Sequence, residues 1–187
     1  MALPCSFLVA LVVLSCHSLG SLGCDLPPKH GLLHWRALML LRQMRRLSAS
    51  SCDKYTTDFS FPQMLVDGNK FEKTEATAVT HEMLRQIFSL FSQRGSLVAW
   101  DETLLDKFLA GLHQQLDDLE TCLEEEKNVE QLPQGSENSR LAVKRYFRGI
   151  SLYLEKKEYS RCAWEVVRVE IGRCLFFVSE LTRKLRI

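Results

Sequence analysis

Residues 159–187 constrain the fold more than any other stretch of the chain. Trp164, Val167, Ile171, Cys174, Leu175, Val178, Leu181 and Leu185 recur there at steps of three and four. That spacing lines one side of an α-helix of about six turns. Ser160 precedes them and is placed to cap the helix, its hydroxyl accepting an orphan backbone N–H. At about 100° per residue, Val169, Gly172, Arg173 and Phe176 fall on the opposite side. A helix that buries one face normally keeps the other polar. This one sets Val169 and Phe176 beside Arg168 and Arg173 on its outer face, the composition of a partner-binding surface.

Four further stripes of the same period precede it. Leu33, Ala37, Leu40, Met44 and Leu47 mark a first helix; Arg36, Arg42, Arg45 and Arg46 flank it as either a solvated face or a partner contact. Residues 48–69 lose the period and form a long connection. Connections of that length in a compact domain are often functional or tied down by a disulfide. Ala76, Val79, Met83, Ile87 and Leu90 mark a second helix over residues 70–91. Leu105, Phe108, Leu112, Leu116, Leu119 and Leu123 mark a third over 99–123, with Gly111 in its interior at a cost of about 1 kcal/mol. A linker over 124–139 follows. Val143, Tyr146, Phe147, Ile150, Tyr153 and Leu154 then give a fourth helix over 140–157, and so short a turn after it makes the last two helices antiparallel neighbours. No useful β-alternation occurs. The expectation is an all-α bundle of five helices with a long first crossover loop rather than a simple up-down-up-down arrangement.

A chain of 187 residues, 46% hydrophobic, can bury one sizeable core. Net charge is +1, from 24 basic and 23 acidic side chains. Such balance supports neither a nucleic-acid partner nor attraction to a membrane surface. Residues 1–23 read as a secretory signal: an eight-residue apolar core, Phe7 to Leu14, is too short to span a bilayer, and Ser21-Leu22-Gly23 supplies a small-x-small cleavage site. Residues 24–187 are then a single secreted domain, with no membrane insertion expected.

Cys24, Cys52, Cys122, Cys162 and Cys174 remain after that cleavage. In an oxidising compartment four of them pair, and the residues alone leave fifteen ways to do so. Cys174 lies within an apolar stripe, where a free thiol behaves as a small hydrophobe, and is the choice for the unpaired one. Catalytic patterns are missing. His81-Glu82-Met83-Leu84-Arg85 begins like a zinc-protease helix but has Arg85 where the second His must stand. His30 and His34 share a helical face, yet two ligands make no metal site. No cofactor, metal or enzymatic activity is expected.

The motifs carry a resemblance to the type I interferons, nearest the alpha, omega and tau branch. Cys162-Ala163-Trp164-Glu165-Val166-Val167-Arg168-Val169-Glu170-Ile171 is similar to the family's hallmark. Cys24-Asp25-Leu26-Pro27, Phe61-Pro62-Gln63, His81-Glu82-Met83-Leu84, Ala99-Trp100 and Lys144-Arg145-Tyr146-Phe147 match in register across the mature chain. The resemblance implies a long-chain cytokine bundle with two disulfides, Cys24 with Cys122 and Cys52 with Cys162. It implies a monomeric antiviral ligand that joins two chains of the interferon alpha/beta receptor and so activates JAK-STAT signalling. For the tighter-binding chain it implies Lys54, Arg168, Val169, Gly172, Arg173 and Phe177; Val169 and Phe177 could instead be plain surface. For the weaker-binding chain it implies Phe88, Ser89, Leu104, Leu109, His113 and Lys144, with Phe88 open to a core role. Asp53 and Thr56 stand where alpha members usually carry leucine and arginine. Gly172 replaces a larger residue, and Leu109 and His113 stand where tyrosines are frequent. The departures imply a weaker or receptor-shifted ligand. The alternative is a divergent paralogue that binds without signalling, a decoy or antagonist; a helical carrier and a hydrolase are further readings.

Overall fold

The computed structural model describes residues 29–66, 71–127 and 134–184. The described residues contain helices and no strand. In chain order they are α1 (Lys29–Gln43), a 3-10 segment (Ala49–Tyr55), α2 (Gln63–Val66), α3 (Lys73–Phe91), α4 (Arg94–Ala99), α5 (Glu102–Lys127), α6 (Gln134–Lys156) and α7 (Arg161–Lys184). The five long helices make the bundle. α1 packs on α5 and α7, and α3 packs on α5, α6 and α7. α7 touches its sequence neighbour α6 as well, but lies more extensively against α1 and α3.

The apolar stripes of α3, α5, α6 and α7 meet in a continuous core. Met83, Ile87, Leu105, Phe108, Leu112, Val143, Ile150, Trp164, Val167, Ile171 and Val178 are all fully buried. Leu185 lies outside the described residues. An aromatic cluster closes one end of the core: Phe91 packs edge-on to Phe108 with centroids 5.1 Å apart and lies 5.8 Å from Trp164. Trp100 stacks on Phe91 and meets Trp164 edge-on.

Boundaries differ from the periodic reading in ways that local chemistry explains. The third long helix begins at Glu102, not at residue 99, because Asp101 caps it: its carboxylate accepts from the Leu104 backbone N–H at 3.0 Å. Ala99 instead ends the short α4, and Trp100 is extended. The linker over 124–139 is mostly helix, α5 running to Lys127 and α6 starting at Gln134. Glutamate is a good helix former, so the acidic run continues α5 rather than ending it. The long first connection is partly ordered as the 3-10 segment and α2, whose Leu65 is fully buried. α1 ends at Gln43, which leaves Leu47 beyond the helix. Ser160 caps α7 as expected, accepting from the Ala163 N–H at 3.4 Å.

Candidate functional site

The first connection is fastened to the bundle at several points. Cys52 is bonded to Cys162 at the first turn of α7, Cα atoms 5.2 Å apart. The Tyr153 hydroxyl of α6 donates to the Tyr55 carbonyl at 2.6 Å. Phe59 meets Tyr153 edge-on at 5.1 Å, and Phe61 sits between Tyr146 and Phe177 at 5.4 and 5.3 Å. Cys122 is also disulfide-bonded; its expected partner, Cys24, lies outside the described residues.

Between this pinned segment and α7 runs a groove of about 210 Å³. Asp53, Thr56 and Phe59 form one wall; Val166, Val169 and Arg173 form the other. Lys54 is exposed beside it. Val169 and Phe176 are 52% and 60% exposed, and the Arg173 side chain is 65% exposed while resting 3.4 Å from Glu170. Gly172 is half-buried, and a side chain there would meet only a Leu41 methyl at 3.9 Å.

Arg168 departs from the outer face on which periodicity placed it. It is buried. Its Nε and Nη2 donate to both carboxylate oxygens of Glu165 at 3.0 and 2.7 Å, and Nη1 reaches the Leu41 carbonyl at 3.4 Å. Leu41 lies in the last turn of α1, where carbonyls have no partner within the helix, so Arg168 ties α1 to α7. Phe177 likewise turns partly inward, half-buried against Phe61. Behind the groove, the Tyr146 hydroxyl donates to Glu170 and lies 3.4 Å from the free, buried Cys174 thiol. Burial pushes the Cys174 thiol up to about 12 and raises the Tyr146 phenol too.

A second group of residues lies on α3, α5 and α6. Ser89, His113 and Lys144 are exposed, whereas Phe88, Leu104 and Leu109 are half-buried with their inner edges against the core. Phe88 and His113 face each other at 6.1 Å, and His113 lies 3.2 Å from Asp117. Periodicity missed an exposed ridge on α1, formed by Leu32, Trp35 and Met39 with Arg42 over the Trp35 ring at 6.0 Å. The signal was present in a second apolar spacing, 32-35-39, offset from the core stripe.

His34 is buried with Nε2 3.0 Å from Thr182 Oγ1. Among the described residues no three His, Cys, Asp or Glu side chains converge as metal ligands, and no helix is long and apolar enough to cross a membrane. Glu82 is fully buried, paired with Arg85 and Arg140 and accepting a hydrogen bond from the Gln86 amide.

A helical bundle offering exposed apolar and arginine side chains beside a pinned crossover loop has the form of a helical cytokine. Residues 26–185 match the interferon alpha/beta domain family. The chain is 60% identical over 174 residues to interferon alpha-2 of Equus caballus, covering 93% of this chain and 95% of that protein. It is 55% identical over 186 residues to interferon alpha-14 of Homo sapiens, covering 100% and 98% respectively. Zebrafish interferon 1 shares the fold with a TM-score of 0.74 at 24% identity, over 87% of this chain and 100% of that one. The chain belongs to the type I interferon family. It is accordingly a secreted cytokine and not an enzyme.

Proposed function

We propose that this interferon acts by holding two different chains of the alpha/beta receptor together, one on each of two faces. The tighter chain docks on the groove between the 3-10 segment and α7, using Lys54, Val169, Gly172 and Arg173. Phe177 is a half-buried shelf beneath that face. Arg168 contributes by fixing α7 against α1 rather than by touching the receptor. The weaker chain docks across α3, α5 and α6, using Phe88, Ser89, Leu104, Leu109, His113 and Lys144. Once the first chain is bound, confinement to a membrane raises the effective concentration of the second. Kinases carried by the receptor chains then start antiviral transcription. Residues 1–23 serve as the secretory signal and 24–187 as the cytokine domain.

The observation that supports this reading best is the outer flank of α7, where Val169, Arg173 and Phe176 stand exposed beside a covalently pinned loop. Arginine is enriched among the few side chains that dominate protein interfaces, and aromatic side chains such as phenylalanine are enriched around it. A second observation favours a weakened ligand. Asp53 adds a carboxylate to the groove, which Glu165 and Glu170 also line, and among the described residues only the last two have arginine partners. The test is surface-plasmon binding to each receptor chain separately, with a reporter for interferon-responsive transcription. Saturable binding to both with induction supports the reading. Binding without induction would establish the antagonist instead, and no saturable binding to either chain would discard both.

A further inference from the structure

Glu165, which lines the groove, also lines a second concavity of about 330 Å³. That volume is near the lower end of the range for small-molecule sites. Arg46 and Leu47 form one wall from the segment after α1. Ala99 and Trp100 form another from the end of α4, and Arg161 and Glu165 a third from the first turn of α7. The apolar part is rigid, because Trp100 is 4% exposed and held by Phe91 and Trp164.

Its charge is one-sided. Glu165 is the only acid in the lining, and both its oxygens are occupied by Arg168. Among the described residues, neither Arg46 nor Arg161 has a carboxylate within ion-pair distance, and both are exposed. Two arginines from separate elements therefore line a cavity whose one carboxylate is already neutralised. The forked donors of arginine suit the oxygens of a tetrahedral oxyanion. The cavity is larger than a bare sulfate or phosphate requires, and half-buried Leu47 offers apolar surface to whatever carries the anion, with buried Ala99 and Trp100 as its floor. With a net charge of only +1, the chain as a whole exerts little attraction on polyanions, so selective capture has to be local.

We propose that this pocket binds a sulfate ester carried on a sugar ring, as in the sulfated polysaccharides outside cells. The sulfate sits between Arg46 and Arg161, and the ring rests on the Leu47 side. The proposal rests on the family reading in one respect, that secretion brings the chain to extracellular polyanions. The test is calorimetric titration of the full domain with a heparin-derived tetrasaccharide, its chemically desulfated form and inositol hexakisphosphate. Arg46→Gln and Arg161→Gln, compared with Arg148→Gln on α6, complete the set. The sulfated sugar should bind and the desulfated one should not. Each pocket variant should weaken binding on the order of tenfold, the loss of one charge-assisted contact, while Arg148→Gln changes it less than twofold. Equal losses in all three variants would show diffuse charge attraction and overturn the pocket. Absence of binding by the sulfated sugar would overturn it as well, as would inositol phosphate binding in its place. Circular dichroism confirms that the variants fold, and receptor binding measured on the same samples separates failure of the pocket from failure of the cytokine reading.

Discussion

Arg168 and Arg173 are five residues apart on one helix, yet the structure gives them opposite roles. Arg168 is paired in the interior with Glu165. Arg168→Ala would strand a buried carboxylate and an α1 carbonyl, and should cost about 3 kcal/mol of stability in chemical denaturation. Arg173 is open to solvent and only loosely paired. Arg173→Ala should leave the melting temperature within a degree or two, but weaken binding to the tighter receptor chain by about 2 kcal/mol if it is an interface anchor; plasmon resonance reads that loss. Helical periodicity could not separate the two. It fixes the direction in which a side chain leaves the helix, not where a long flexible one ends, and Arg168 bends back to the end of a neighbouring helix. Cys174 was legible, because a small apolar side chain within a core stripe has nowhere else to go. Cys174→Ser should keep the Cys52–Cys162 bridge on non-reducing peptide mapping, with a stability loss of about 1 kcal/mol, since Tyr146 is close enough to meet the new hydroxyl. Wild-type Cys174 should resist alkylation until the protein unfolds, because burial keeps it protonated.

At the scale of elements, α3 and α6 are joined by charge as well as by packing. Glu82 lies in the interior, bound to Arg85 and Gln86 on its own helix and 3.8 Å from Arg140 on α6. Burial alone would raise its carboxyl, but the Arg85 and Gln86 hydrogen bonds and nearby positive charge outweigh it and hold the group below 4.5. On acidification the unfolded chain takes up this proton first. The stability due to Glu82 is therefore complete above pH 4.5 and is lost as pH falls through the lower folded value. The stability gap between wild type and Glu82→Gln, measured by urea denaturation, should narrow from pH 6 to pH 3. The existence and inner faces of the long helices were readable, because a three-to-four spacing over many turns has no competing explanation. Their ends were not. Asp101 capping α5 and the acidic residues extending it are local choices that the apolar pattern does not register.

For the molecule as a whole, the bridge between Cys52 and Cys162 closes a sequence separation of 110 residues. Loop-closure entropy assigns such a cross-link about 4–5 kcal/mol as an upper figure. Replacing both cysteines by alanine should lower stability by several kcal/mol in denaturant. It should also weaken the tighter receptor chain more than the weaker one, since only the former is proposed to use the pinned segment; paired binding curves would show the asymmetry. The five-helix bundle was visible in the sequence. The groove was not, because it arises only when residues 53–59 are brought against residues 166–173. The sequence points to this flank through the outward mixture of Val169, Arg173 and Phe176, together with the family motifs.

Thr56, Thr57 and Asp58 are exposed just past the bridged Cys52. A protease severing the chain there would not release the upstream piece. That fragment carries Cys52, still linked to Cys162 at the root of α7, and α1 remains packed against that same helix. A single cut would leave a two-chain molecule heavier by one water, whose fragments separate under denaturing conditions only once the bridge is reduced. The crosslink therefore lets the cytokine survive a wound at this exposed bend.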